Sequence, residues 1–332
     1  MHGGNIFAVA ERAGVAWQEV LDFSASINPL GPSPAARAAM LAAVDRVVHY
    51  PEPTAERLRE RLAAHWSVRA EKILMGAGAT ELLFDWCRWV GVGTIAAPAF
   101  GEFHRAWPGA ALCRVEDAAT WPEEGPVVLT RPANPTGTLV DAAVVREFAS
   151  RRRGPVLVDE SFIDFCDAQS LTTAAVGNLY VLRSLTKFWA LPGLRIGALV
   201  GDVEELARRR VPWAVNTMAE AAALASIDDR AHFEKSREFV RNEGEWLAAE
   251  LGGLPGVRVA PRMANFLYCD VDRVGGGVAR AGELVEFARA RQVLLRDCSD
   301  WPGLPGDALR VAVRARWENE ILLMVCREFL CA

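Results

Sequence analysis

An amine, two hydroxyls and a guanidinium fall close together in the stretch Tyr180–Gly197, YVLRSLTKFWALPGLRIG. Ser184, Thr186 and Lys187 follow the short apolar run Tyr180–Leu182, and Arg195 comes eight residues after Lys187, past a Pro-Gly turn. Of 37 basic residues only Lys72, Lys187 and Lys235 are lysine. Arginine stays protonated at ordinary pH, whereas a desolvated lysine can lose its proton and attack a carbonyl. Among the lysines, only Lys187 closely follows a strand-like run and sits beside hydroxyls. The set suits a ligand that carries both an aldehyde and a phosphate.

The elements that must position this set read as a mostly parallel α/β sheet. Lys72–Met75, Gly93–Ala97, Val127–Thr130, Pro155–Val158 and Tyr180–Leu182 are short apolar strands, separated by helical stretches. Alternation of this kind marks parallel strands buried on both faces, and ligands bind beyond their carboxyl ends. Those ends carry Gly76–Glu81, Phe100 and Phe103, Asn134, Asp159 and Ser184–Lys187. The turn GAGATE opens a helix whose first amides, at Ala79 and Thr80, can face an anion; a plain helix cap is the other reading. It is also half of a dinucleotide fingerprint, but Glu81 stands where the third glycine would be, and a carboxylate there speaks against a pyrophosphate. Around this core, an aperiodic arm starts at His2-Gly3-Gly4-Asn5, Ser33–Val48 and 54–66 read as helices, and 219–251 as one long helix. Val257–Val259 and Phe266–Val271 read as further strands, and Arg296 and Arg310 lie within apolar runs near the end. The boundaries drawn are 1–45 for the arm and part of a small domain, 46–215 for a large ligand-binding domain and 216–332 for a small C-terminal domain.

Chemistry assigns roles on that rim, and pyridoxal 5′-phosphate meets them all. Its pyridine nitrogen must stay protonated to absorb a carbanion's electrons, so it needs a buried carboxylate. Asp159, at the end of a wholly apolar strand, fits that place; it could equally cap a helix. Asn134 can donate to the ring's phenolic oxygen, Lys187 can bind the aldehyde and later move protons at Cα, and Ser184, Thr186, Arg195 and the Ala79 and Thr80 amides can share the phosphate. An arginine inside an apolar run is costly to bury unless it meets an anion, which marks Arg296 and Arg310 as anion sites or structural ion pairs.

The ordered set GAGATE, PAFGEF, NPTG, DESF and SLTK…GLRIG resembles the fold-type I aminotransferases of the histidinol-phosphate class over essentially the whole chain. The segments HGGN, DFSASINPLGP, DESFIDF and LLRDCSDWPGLPGDALRVAVR resemble more narrowly its threonine-phosphate decarboxylase branch, which serves the cobalamin side chain. The resemblance implies a homodimer in which Tyr50 reaches the partner's cofactor phosphate, and Phe103 stacked on the ring. It implies Arg310 on the substrate α-carboxylate, and Arg296 with Asn28 and His2 on a substrate phosphate; each of these also has a plain structural reading. Phe162 stands where histidinol-phosphate aminotransferases usually carry a tyrosine, which favours the decarboxylase branch. An aminotransferase of the same class is the nearer rival reading and a nicotinamide dehydrogenase the farther one.

Composition excludes other classes. A net charge of −5 and a pI near 5.7 argue against a nucleic-acid partner. The seven scattered cysteines form no CxxC pair and read as reduced thiols, without a metal site. The longest uncharged apolar run, Trp89–Phe100, is too short to span a bilayer, and no signal peptide is legible. The expectation is a cytoplasmic enzyme acting on a small phosphorylated amino acid.

Overall fold

The computed structural model describes residues 3–175, 177–261, 263–271, 280–304 and 306–331. The arm holds helix α1 (Ile6–Ala13), a two-residue strand β1 (Leu21–Asp22) and α2 (Pro34–Ala43), which Ser33 starts by accepting from the Ala36 amide at 3.1 Å. Helix α3 (Glu56–Trp66) follows, burying Leu58 and Leu62.

A seven-stranded sheet comes next: β2 (Ile73–Gly76), β3 (Thr94–Ala97), β4 (Ala111–Arg114), β5 (Val127–Thr130), β6 (Val156–Asp159), β7 (Leu179–Ser184) and β8 (Gly197–Val200). The order across it is β2-β8-β7-β6-β5-β3-β4, and only β8 runs antiparallel to its neighbours. Helices α4 (Ala79–Val90), α5 (Gly101–Ala106) and α6 (Ala142–Ser150) connect the strands. Strands β5, β6 and β8 are buried at every residue, as sheets covered on both faces require. The fold is therefore the expected mostly parallel α/β arrangement. Strand β4 is an addition: it is an edge strand and largely exposed, although the short apolar run Ala110–Cys113 leads into it.

After α7 (Glu204–Arg208), the stretch expected as one helix is two, α8 (Thr217–Asp228) and α9 (Arg230–Gly252). The break has a local cause: the Asp229 carboxylate caps the second helix by accepting from the His232 amide at 3.0 Å. A separate antiparallel sheet of order β12-β13-β10-β9 is built from β9 (Val257–Val259), β10 (Phe266–Val271), β12 (Arg296–Asp297) and β13 (Ala308–Ala312). Strand β11 (Val293–Leu294) instead pairs in parallel with β1. Helices α10 (Arg280–Arg289) and α11 (Arg316–Leu330) cover this part.

Phe23 stitches the arm to that second sheet. Its amide donates to Leu294 at 2.9 Å, its carbonyl accepts from Ala312 at 2.9 Å, and its ring is fully buried among Leu247, Leu267, Val311 and Leu322. Phe23→Ala is expected to cost about 3–5 kcal/mol by the cavity it leaves, read as a lower midpoint in urea unfolding.

Candidate active site

The carboxyl ends of β2, β6 and β7 open into one cavity of ≈ 230 Å³. Lys187, Asp159, Asn134, Ser184, Thr186, Arg195, Arg310, Ala79 and Thr80 all line it. Strand register sets their spacing. Asp159 lies opposite Leu182, and Ser184 lies opposite Gly197, two residues further along β7. Two residues of strand amount to roughly 6–7 Å, which sets the carboxylate apart from the hydroxyl pair along the sheet.

One end of the cavity is an anion cradle. Ser184 and Thr186 share a hydrogen bond at 2.8 Å. A Cβ on Gly197 would lie 2.5 Å from the Ala79 nitrogen, and one on Gly78, whose φ is +94°, would lie 2.4 Å from Arg195 Nη2. Only glycine at both positions lets the hydroxyls, the first amides of α4 and the guanidinium converge. Glu81 folds back beneath the turn, accepting from the Ala77 amide at 2.7 Å and pairing with Arg210 at 2.6 Å. Its carboxylate closes the turn, which explains why a carboxylate can stand in the place of a third glycine.

The other end is a buried carboxylate. Asp159 accepts from the amide and hydroxyl of Ser161, at 2.9 and 2.5 Å. Burial pushes its carboxyl above the ordinary value, and the Ser161 bonds and Lys187 oppose that shift. It has no ion pair among the described residues. Between the two ends, the Lys187 amine is lowered to about 8, by burial first and then by the charges of Arg310 and Arg195. Lys72 pairs instead with Asp202, and Lys235 is exposed.

The second sheet supplies the fourth wall. Arg310 Nη1 donates to Asn134 Oδ1 at 2.7 Å, and Nη2 donates to the Ser24 carbonyl. A guanidinium only donates, so this contact fixes the Asn134 amide with its NH₂ turned away from Arg310. Burial and then the neighbouring Arg296 press Arg310 to about 10, while Cys298 acts the other way. Arg310 Nε and Ser26 Oγ are buried without hydrogen-bond partners among the described residues, and both residues line the cavity. A buried donor left open costs about 1–3 kcal/mol, so these atoms are set up for a polar ligand.

Three residues expected in this cavity, Phe103, Asn28 and Arg296, lie elsewhere, and Tyr50, expected at a partner's cofactor, lies outside it too. Phe103 is fully buried beside Trp86 and Trp107, and Phe100, the residue that precedes α5, faces the cavity in its stead. Asn28 is buried, with its amide committed to the Phe188 carbonyl at 2.8 Å and Ser236 Oγ at 2.9 Å. Arg296 stands directly across the strand pair from Arg310 and lies 5.3 Å from the Trp301 ring centre, but it does not line the cavity. Tyr50 is 84% exposed and packs on Trp213 with ring centres 5.0 Å apart. His2 lies outside the described residues. The sequence reading passed over Ser24–Ser26, Ser161 and Gly3 as lining residues. Gly3 is held there by a close approach that only three dimensions show, since a Cβ would lie 2.4 Å from the Ser24 carbonyl.

The donor set fits pyridoxal 5′-phosphate, with a dianion cradle, an amine and a buried carboxylate in that order along one slot. No group of three or more metal-ligating side chains occurs among the described residues, and no helix there is long and apolar enough to cross a membrane.

Comparison with known proteins gives the same answer. The family of aminotransferases of class I and II matches residues 110–329. Threonine-phosphate decarboxylase from Salmonella typhimurium is 32% identical, covering 99% of this chain and 96% of its own. Histidinol-phosphate aminotransferase from Moorella thermoacetica is 33% identical, over 99% and 89%. The crystal structure of histidinol-phosphate aminotransferase from Sinorhizobium meliloti, in complex with pyridoxal-5′-phosphate, superposes with a TM-score of 0.87 at 21% identity, over 99% and 95%.

The lowered Lys187 amine yields a prediction. Below its pKa it carries a proton and is unreactive; above it, it is a nucleophile. Trapping of a small aldehyde by borohydride on the cofactor-free protein should rise with a midpoint near pH 8. Peptide mass spectrometry should place the adduct on Lys187 ahead of Lys72 and Lys235.

Proposed function

The chain belongs to the class I and II aminotransferase family, and from that premise we propose that it decarboxylates L-threonine O-3-phosphate to (R)-1-aminopropan-2-ol O-phosphate. Its cofactor is pyridoxal 5′-phosphate, which when bound supplies an aldehyde that condenses with amines and a ring that takes up electrons released at Cα. The observation that carries the choice of reaction is Phe162, an apolar wall of the cavity that Asp159 and Asn134 also line, where the resembling aminotransferases usually have a phenol. The likeness along the whole chain to a threonine-phosphate decarboxylase supports it.

Each residue then has a task. Ser184, Thr186, Arg195 and the first amides of α4 hold the cofactor's phosphate. Asp159 keeps the ring nitrogen protonated. Asn134, its amide oriented by Arg310, donates to the phenolic oxygen, and Phe100 takes the stacking role expected of Phe103. Arg310 holds the substrate carboxylate through donors that Asn134 and Ser24 leave free. Arg296, aligned with Arg310 on the adjacent strand, holds the substrate phosphate. Two like charges directly opposed across strands repel, and an anion between them removes that cost. Two anchored anions fix which Cα bond is presented for cleavage, and misplacement by ~1 Å can cost about 100-fold in rate. Lys187 delivers a proton to Cα in place of the carboxylate that leaves as CO₂, so the product is an amine.

We propose also that a second copy of the chain covers the exposed apolar group Val47, Val48, Tyr50 and Trp213, with Tyr50 reaching the partner's cofactor phosphate. Sedimentation should then give twice the chain mass of 36.2 kDa, and Tyr50→Ala should weaken cofactor retention.

Mass spectrometry of the products from L-threonine O-phosphate, with 2-oxoglutarate present, tests the reaction. Aminopropanol phosphate without glutamate is the expected result. Glutamate together with a phosphorylated oxo acid would make the chain an aminotransferase of the histidinol-phosphate class. Lys187→Ala should abolish covalent cofactor binding in either case.

A further inference from the structure

Behind the cavity lies a charged group that the proposed chemistry does not use. Glu160 follows Asp159, and its side chain turns to the other face of the strand end. There it meets Arg131 Nη1 at 2.8 Å, with the two side chains 0% and 3% exposed. Arg131 makes three more bonds. Its amide donates to the Asp159 carbonyl at 2.8 Å, Nε to the Val140 carbonyl at 2.7 Å, and Nη1 to the Gln169 carbonyl at 3.0 Å. It thus closes both ends of the loop that carries Asn134 and ties that loop to Asp159. Glu160 also accepts from the Leu171 amide at 3.0 Å, and its own amide donates to Leu182 at 2.9 Å. Arg183 completes the group, donating to Ser170 Oγ at 3.1 Å and pairing with Asp164.

Two arginines face two carboxylates here, so the cluster cancels its own charge. Asp159 stands outside it and, among the described residues, accepts only from the neutral groups of Ser161. A buried ion pair contributes little to stability over an apolar pair of the same size, but losing one partner leaves an uncompensated charge. Uncompensated, Glu160 would lie beside Asp159 as a like charge and favour its neutral form.

We infer that Arg131 and Glu160 are positioning residues: the pair neutralises Glu160 so that Asp159 alone presents a negative charge to the ring nitrogen, and it holds the Asn134 loop in register with that carboxylate. The inference rests on the cofactor reading above. It acts through Asp159, so its effect depends on the ring nitrogen.

The test titrates the cofactor-free full-length protein with pyridoxal 5′-phosphate and with the analogue whose ring nitrogen is replaced by carbon, following absorbance. The readout is the ratio of the two affinities. In Arg131→Met the ratio should fall about tenfold or more in disfavour of the natural cofactor, and the Arg131→Met/Glu160→Met protein should recover most of it. Glu160→Gln keeps the fold's hydrogen-bonding shape, so it answers even where Arg131→Met does not fold; its ratio should rise. Ratios unchanged in Glu160→Gln and in any folded Arg131→Met protein would overturn the inference and leave the pair a structural tie. Failure of the unaltered protein to bind pyridoxal 5′-phosphate would instead refute the cofactor reading.

Discussion

Removing a charge from water costs several kcal/mol unless something in the interior replaces the solvent. Asp159 and Lys187 at the rim of the seven-stranded sheet and Arg310 on the second sheet surround one cavity, and much of the surrounding structure follows from that cost. Asp159 is met by Ser161, Arg310 by Asn134 and the Ser24 carbonyl. None of these contacts cancels a charge. The groups are held in place and left electrically open, which is the condition in which a ligand carrying opposite charges gains most.

The same cost explains the division between the front and the back of β6. In front, Asp159 faces the cavity with neutral partners. Behind, Glu160, Arg131, Arg183 and Asp164 pair among themselves. Consecutive residues at a strand end point to opposite faces, so one backbone position serves both the ligand and the frame that supports it. Arg131 and the neighbouring Asn134 loop receive their register from this frame.

The cavity is closed by parts far apart in the chain. Arg310 reaches Asn134 across 176 residues and Ser24 across 286. The arm reaches it through Gly3 and Ser24–Ser26, and the second sheet through Arg310 of β13. Orientation of the Asn134 amide depends on these parts docking together. Placement to within an ångström is a property of that docking and not of any single motif.

Much of the site was legible because parallel strands expose their carboxyl ends on one rim. An apolar run followed by Asp159, or by Ser184, Thr186 and Lys187, therefore places those side chains without further information. Glycines 78 and 197 were readable as turn and strand residues, but that they clear space for Arg195 and the Ala79 amide is visible only in three dimensions. The choice between Phe100 and Phe103 turned on where a six-residue helix begins, since Phe100 precedes it and Phe103 lies within it, and a helix that short carries too few turns for a periodic signal. The break at Asp229 was hidden for a related reason, since one capping carboxylate interrupts a helix without interrupting its apolar pattern. Asn28 has the residue type of a ligand contact, and burial against Phe188 and Ser236 gave it a structural one. The sequence by itself determined the chemical types and their order along the strands, because those are local. Only the tertiary structure decided which polar atoms are spent on the protein and which stay free, because each such bond depends on a partner brought from elsewhere in the chain.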